Sequence, residues 1–266
     1  DRIWTGIISN DWNTPGNWSC GILPGSGTPV VIPDVTNEPV LNPGSPGTVN
    51  NLTIASGSSL VISGNTLRIS GALTNNGTFN ALDGTIEMNG TAPQVIETGT
   101  FSGNTIKNLI INNPSGVSIL GPLNITGIIK AEDGNLASGG LLTLESSASG
   151  TALIDGSGTG NVIGVVRMQR YLPSGFGYKY ISSPFQNALV SALGDEINLA
   201  EPFPLIYSYD ESRTSSGWVS WANPVNLLHP MKGFAVNFGS TAAPVLIDIS
   251  GEVNNGPVTA LLYNHN

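Results

Sequence analysis

From about residue 49 to residue 168, apolar residues recur in pairs at alternate positions. Leu52 and Ile54, Leu60 and Ile62, and Leu67 and Ile69 open the run. Leu109 and Ile111, Val117 and Ile119, Leu123 and Ile125, and Leu142 and Leu144 continue it. Leu73, Phe79 and Ile86 with Met88 form weaker units in between. Alternation of this kind puts both members of a pair on one face of a strand. The gaps are Gly-, Asn- and Ser-rich, as in Ser63-Gly64-Asn65, Asn75-Asn76-Gly77 and Asp83-Gly84. Gly and Asn tolerate positive φ, so the gaps read as tight corners.

Two architectures meet that pattern. An antiparallel meander joins longer strands by two-residue turns. A β-solenoid turns a corner after each short strand, and three units then make a coil of about 20 residues that stacks on the next. The run from Leu52 to Leu73 has that length. Asn51-Leu52-Thr53-Ile54 is echoed by Asn108-Leu109-Ile110-Ile111, which also suggests repetition. The expected fold is therefore all-β: a right-handed parallel β-helix over 49–168.

The flanks have other textures. Residues 1–48 carry Trp4, Trp12 and Trp18 among seven prolines, from Pro15 to Pro46. Proline cannot donate to a ladder, so this stretch reads as a compact Trp/Pro-rich N-terminal cap with one short strand at Val30-Val31-Ile32. Over 169–266 the aromatics return and strands lengthen. Leu205–Tyr209, Trp218–Trp221, Gly233–Phe238 and Pro244–Ile249 read as antiparallel strands of a small β-sandwich-like module. Ala188–Leu193 has modest helical character.

Composition narrows the function. Only 10% of the 266 residues are charged, against about 25% in an average domain. The hydrophobic fraction of 39% is enough for a core and excludes a disordered chain. Equivalent side chains of neighbouring coils lie directly above one another, where like charges repel. Neutral Asn, Ser and Thr ladders suit that stacking. The net charge of −9, without a basic stripe, argues against nucleic acid. No apolar run is long enough for a transmembrane helix. Cys20 stands alone and reads as a small buried thiol.

Trp4-Thr5-Gly6, Asp11-Trp12-Asn13, Gly16-Asn17-Trp18-Ser19, Pro24 and Val30-Val31-Ile32-Pro33 resemble the opening of large secreted repeat proteins of Bacteroidetes, adhesin-like cargo of the type IX secretion system. Tyr180-Ile181-Ser182-Ser183-Pro184-Phe185, Ile206–Tyr209, Trp218–Trp221 and Met231-Lys232-Gly233-Phe234 resemble the β-rich module that follows the solenoid there. The resemblance implies export to the cell surface and a role in adhesion, gliding or matrix attachment. Such cargo ends in a sorting domain. None is visible before Tyr263-Asn264-His265-Asn266, so a fragment of a longer protein is expected.

Candidate chemistry is sparse. A polysaccharide-cutting β-helix needs converging carboxylates. Between 49 and 168 these are Asp83, Glu87, Glu97, Glu132, Asp133, Glu145 and Asp155, and the adjacent pair Glu132-Asp133 would face opposite sides of a strand. His229 and His265 have no partner at metal spacing. Gly156-Ser157-Gly158-Thr159-Gly160 lacks the Lys-Ser/Thr of a phosphate loop and reads as a corner. Calcium could use Asp210 and Glu211, or Asp195 and Glu196, although solvated turns explain both pairs. Sugar stacking could use Tyr207 and Tyr209, which share a face, and Trp218 or Trp221, which point to opposite faces. No cofactor is otherwise expected. The expectation is a non-enzymatic structural and adhesive module at the cell surface. Its partners would be a surface or matrix component, a glycan, or further copies stacked into a filament. A carbohydrate-binding or polysaccharide-degrading β-helix protein is the alternative.

Overall fold

The structure is a computed structural model, and it describes residues 1–259; His265 and the Tyr263–Asn266 stretch lie outside the described residues. The chain divides into two compact units. The first holds Asp1–Glu145 and Ala152–Ile163, and the second Ser146–Thr151 and the chain from Gly164.

The first unit is a parallel β-solenoid of about seven turns. Strands at Arg2–Ile3, Val30–Ile32, Leu52–Ile54 and Leu73–Asn75 stack in parallel register as one side. Gln94–Ile96, Val117–Ile119, Leu136–Ala137 and Val162–Ile163 form a similar parallel stack further along. The long strands Ser59–Ile69 and Thr78–Met88 shift register between Val61 and Thr66. The shift breaks each strand into two paired stretches around the glycine of the corner, so one strand supplies two apolar pairs. Leu67 pairs with Ile86, Ile86 with Leu109, and Leu109 with Ile129. Each of these side chains is fully buried, and the column they build is the solenoid core.

The alternating pairs are therefore the inward residues, as their spacing requires. The echo is a different matter. Leu52 belongs to the first stack and Leu109 to the long-strand column, so the two four-residue segments are not equivalent positions. Both simply meet the same demand for alternate burial. Outward positions carry the neutral ladders: Asn50 Nδ2 donates to Ser70 Oγ at 3.2 Å and Asn108 Nδ2 to Thr85 Oγ1 at 3.2 Å. Where charge occurs, opposite signs face each other on neighbouring coils, Arg68 with Glu87 and Lys107 with Asp83, both at 2.8 Å.

The N-terminal stretch is less separate than a cap over 1–48 implies. Its strands at Arg2–Ile3 and Val30–Ile32 are already rungs of the first stack. Trp4, Trp12 and Trp18 are buried in edge-to-face pairs with centroids 5.0 and 4.6 Å apart. Asn17 is fully buried. Its carbonyl accepts from the Ile8 and Ser9 amides, and its amide donates to Ser9 Oγ and the Asp11 carbonyl. All four hydrogen bonds of an Asn side chain are thus made internally. Cys20 is not buried. It is exposed, and it takes a left-handed φ of 66° in the turn after Trp18.

The second unit begins earlier than residue 169. The Val165–Leu172 strand crosses that position and pairs antiparallel with Val245–Glu252 along its whole length. A boundary at 168/169 would cut a continuous ladder. The other sheet has four antiparallel strands in the order Tyr178–Ile181, Phe234–Asn237, Ile206–Tyr209, Trp218–Ser220. The modest helical signal before Gly194 is a short 3-10 turn, Val190–Leu193.

Candidate functional site

The four-stranded sheet sorts its residues by the period of two. Ile206, Ser208, Phe234 and Val236 are buried on one face. The register sets Tyr180, Ala235, Tyr207 and Ser220 in one row on the other face. Tyr178 sits opposite Asn237, and Tyr209 opposite Trp218, in the rows beside it. The central strand thus offers only the methyl of Ala235 between two aromatic walls. The result is a trough of about 490 Å³ lined by Tyr178, Tyr180, Phe203, Tyr207, Ser216 and Trp218 over Ala235.

Five rings here stand open to solvent, from Tyr180 at 77% to Trp218 at 43% exposure. Tyr180 and Trp218 lie nearly parallel, 26° apart, with centroids at 6.4 Å. Tyr209 braces Trp218 edge-on at 5.2 Å, and Phe203 and Tyr178 both approach Tyr207. Burial first, and then the neighbouring Tyr178, hold the Tyr207 phenol above its ordinary value. It is a neutral donor and acceptor at physiological pH.

Three of the four aromatics singled out in the sequence meet here. The fourth, Trp221, is on the opposite face, near Phe234 at 6.2 Å, with its N–H donated to the Leu227 carbonyl. It forms part of a separate recess with Asp210, Glu211, His229 and Lys232, and the Lys232 ammonium lies 4.2 Å from its ring centroid. Tyr178, Tyr180, Phe203, Ser216 and Ala235 escaped the sequence reading. One signal was available: Tyr178-Lys179-Tyr180 repeats the alternation of Tyr207-Ser208-Tyr209.

The acidic pairs fare differently. Asp210 accepts from the Ser212 amide and hydroxyl, which hold its carboxyl below the usual range. That is a turn-closing role. A third carboxylate joins the other pair instead: Asp195, Glu196 and Asp248 bring oxygens within 4.8 Å of one another. Arg167 forks onto both oxygens of Asp248. Glu196 Oε1 accepts from the Asp248 amide, while its buried Oε2 has no donor.

Burial, and then the neighbouring Asp195 carboxylate, push Glu196 up to about 8. The unfolded chain ionises this residue near the ordinary value of 4.5, whereas the folded chain keeps it protonated to about 8. Stability from this site is therefore full below pH 4.5 and declines as pH rises to 8. Asp195 is held low by the neighbouring Glu196 and titrates below that window. Glu196→Gln should flatten the fall of Tm across the window and raise Tm at pH 8. Thermal melts at pH 5 and pH 8 check this, and equal slopes in both proteins would refute it.

Four of the seven carboxylates between 49 and 168 are engaged with their neighbours, Asp83 through Lys107. Glu87 takes Arg68 and Asn112, Glu132 pairs with Lys130, and Asp155 caps the Ser157 amide at 2.8 Å. Glu132 and Asp133 are both exposed at the end of their strand. The glycine-rich segment 156–160 is a coil corner, in which Thr159 and Gly160 donate to the carbonyls of Glu132 and Ala131.

Fold and site together define an all-β solenoid protein carrying an antiparallel module with an aromatic face. A family model described as a domain of unknown function, DUF8693, matches residues 3–86. The match runs through the tryptophan cluster into the long strands, so the N-terminal stretch and the first coils recur together in that family. No curated protein and no solved structure matches the chain. No helix among the described residues is long and apolar enough to cross a membrane.

Proposed function

We propose that this chain is a non-enzymatic adhesive module of an exported surface protein. The solenoid acts as a rigid scaffold, and the trough of the second unit grips a carbohydrate. One observation carries the reading: exposed, mutually braced aromatic rings flank a floor reduced to Ala235. Exposed apolar rings of this number are unfavourable in water unless a partner covers them. Aromatic faces complement the C–H faces of sugars while their polar edges hold hydroxyls. The engagement of Asp83, Glu87, Glu132 and Asp155 with neighbouring groups supports binding without turnover. The resemblance to secreted Bacteroidetes repeat proteins supports the surface location.

A glycan array probed with the full chain tests this. Binding should appear and should fall at least tenfold in Trp218→Ala, with Tm nearly unchanged because Trp218 packs on the open face. Absence of binding to every glycan would reject the adhesive reading of the trough. Sugar release from a bound polysaccharide would reject the non-enzymatic one.

A further inference from the structure

We infer that the trough selects an uncharged, hydroxyl-rich glycan chain over acidic sugars and over alkylammonium ligands. The inference rests on the trough being the carbohydrate site. Its basis is the chemistry of the lining, which contains aromatic rings, one serine and one alanine and no charged residue. Lys179 belongs to a flanking strand, but the alternation turns it to the opposite face, opposite Val236. A uronate bound here would lose water without gaining a cation, which is unfavourable. Proteins that take carboxylates supply an Arg or Lys fork.

The rim argues for hydroxyls. Among the described residues, no protein hydrogen bond is made by the phenols of Tyr178, Tyr180 and Tyr207, the Ser216 hydroxyl or the Trp218 N–H. Three of the four other tryptophans behave otherwise. Trp4, Trp18 and Trp221 each donate the indole N–H to a backbone carbonyl. Trp218 keeps its donor free at the mouth of an apolar trough. A ligand that covers the rings must also satisfy these groups, or leave them desolvated and unpaired. A quaternary ammonium would gain cation–π attraction but offers nothing to hydrogen-bond, and the lining has no carboxylate to balance it. A sugar chain presents apolar faces and equatorial hydroxyls together. The volume of about 490 Å³ lies within the range of pockets that enclose a drug-sized ligand, the size of a short oligosaccharide.

Titration calorimetry of the full chain would use cellohexaose and chitohexaose as neutral probes, oligogalacturonate as the acidic probe and tetramethylammonium as the cationic one. The neutral probes should bind at least tenfold more tightly than the other two. Their affinity should change less than twofold between 50 and 500 mM salt and fall at least tenfold in Trp218→Ala. Acidic or cationic binding of equal strength with the same Trp218 dependence would overturn the selectivity and leave the trough as a binding site. Binding unaffected by Trp218→Ala would overturn the site as well. A chain that sediments as a dimer, and as a monomer after Trp218→Ala, would show the trough covered by a second copy and overturn the glycan assignment.

Discussion

Leu109→Asp is expected to leave the solenoid unfolded at room temperature. Leu109 is fully buried, and its strand is paired on both sides, at Ile86 and at Ile129. The substitution removes a packed side chain, which alone costs about 2–5 kcal/mol. It also places a carboxylate in an apolar column with no cation to meet it. An isolated buried charge is far less favourable than a cavity, and whole domains are stable by only about 5–15 kcal/mol. Circular dichroism should show loss of the cooperative melt. A Tm unchanged from the native chain would contradict the burial of this column. Leu109→Ala should fold with a lowered Tm, which separates the cavity effect from the charge effect.

The second large effect concerns coil spacing. Gly134 has φ of +77°, and a Cβ there would lie 1.8 Å from the Asn113 carbonyl oxygen on the neighbouring coil. The obstacle is backbone, so no side chain can move aside. The same column continues upward, since a Cβ on Gly160 would meet the Gly134 carbonyl at 1.8 Å. Gly134→Ala must therefore separate coils that are joined by ladder hydrogen bonds, and it should cost several kcal/mol. Gly140 is the control. Its φ is +76°, yet nothing lies within 4 Å of the added methyl. Gly140→Ala should cost only the left-handed conformational penalty of about 1–2 kcal/mol. Urea melts of the pair separate contact from conformation. Equal losses would show that the close approach between coils contributes nothing.

These effects bear on what the proposed adhesive scaffold requires. A solenoid is stable through neighbour contacts, each coil bonded to the next. Damage at Leu109 or Gly134 lies in the scaffold and should leave the chemistry of the trough lining unchanged. Trp218→Ala should do the converse, reducing binding while the melt of the scaffold is preserved. The two classes of variant thus test stability and recognition separately.

Much of the fold was legible because it depends on local periodicity. Leu52/Ile54, Leu67/Ile69 and Leu123/Ile125 announce alternate burial, and Gly or Asn between them announces corners. Each pair is buried in the structure. The limits were equally physical. The Asn51 and Asn108 echoes look alike because burial of alternate residues is one rule applied on every side of the coil. The rule cannot say which side. Proline density made 1–48 look like a cap, yet Arg2–Ile3 before the first proline and Val30–Ile32 between Pro29 and Pro33 suffice to enter the stack. Cys20 looked buried by residue type, but it sits in a turn where nothing covers it.

The trough shows the same division. Sequence alternation determined that Tyr207 and Tyr209 share a face and that Trp218 and Trp221 do not, since side chains of a strand point alternately. It also determined the scarcity of charge from which the uncharged lining is drawn. Only the tertiary structure decided that Tyr180 and Tyr207 flank the same Ala235, and that Asp248 joins Asp195 and Glu196. Cross-strand register joins residues far apart in the chain, and one strand's periodicity carries no information about which strand lies beside it.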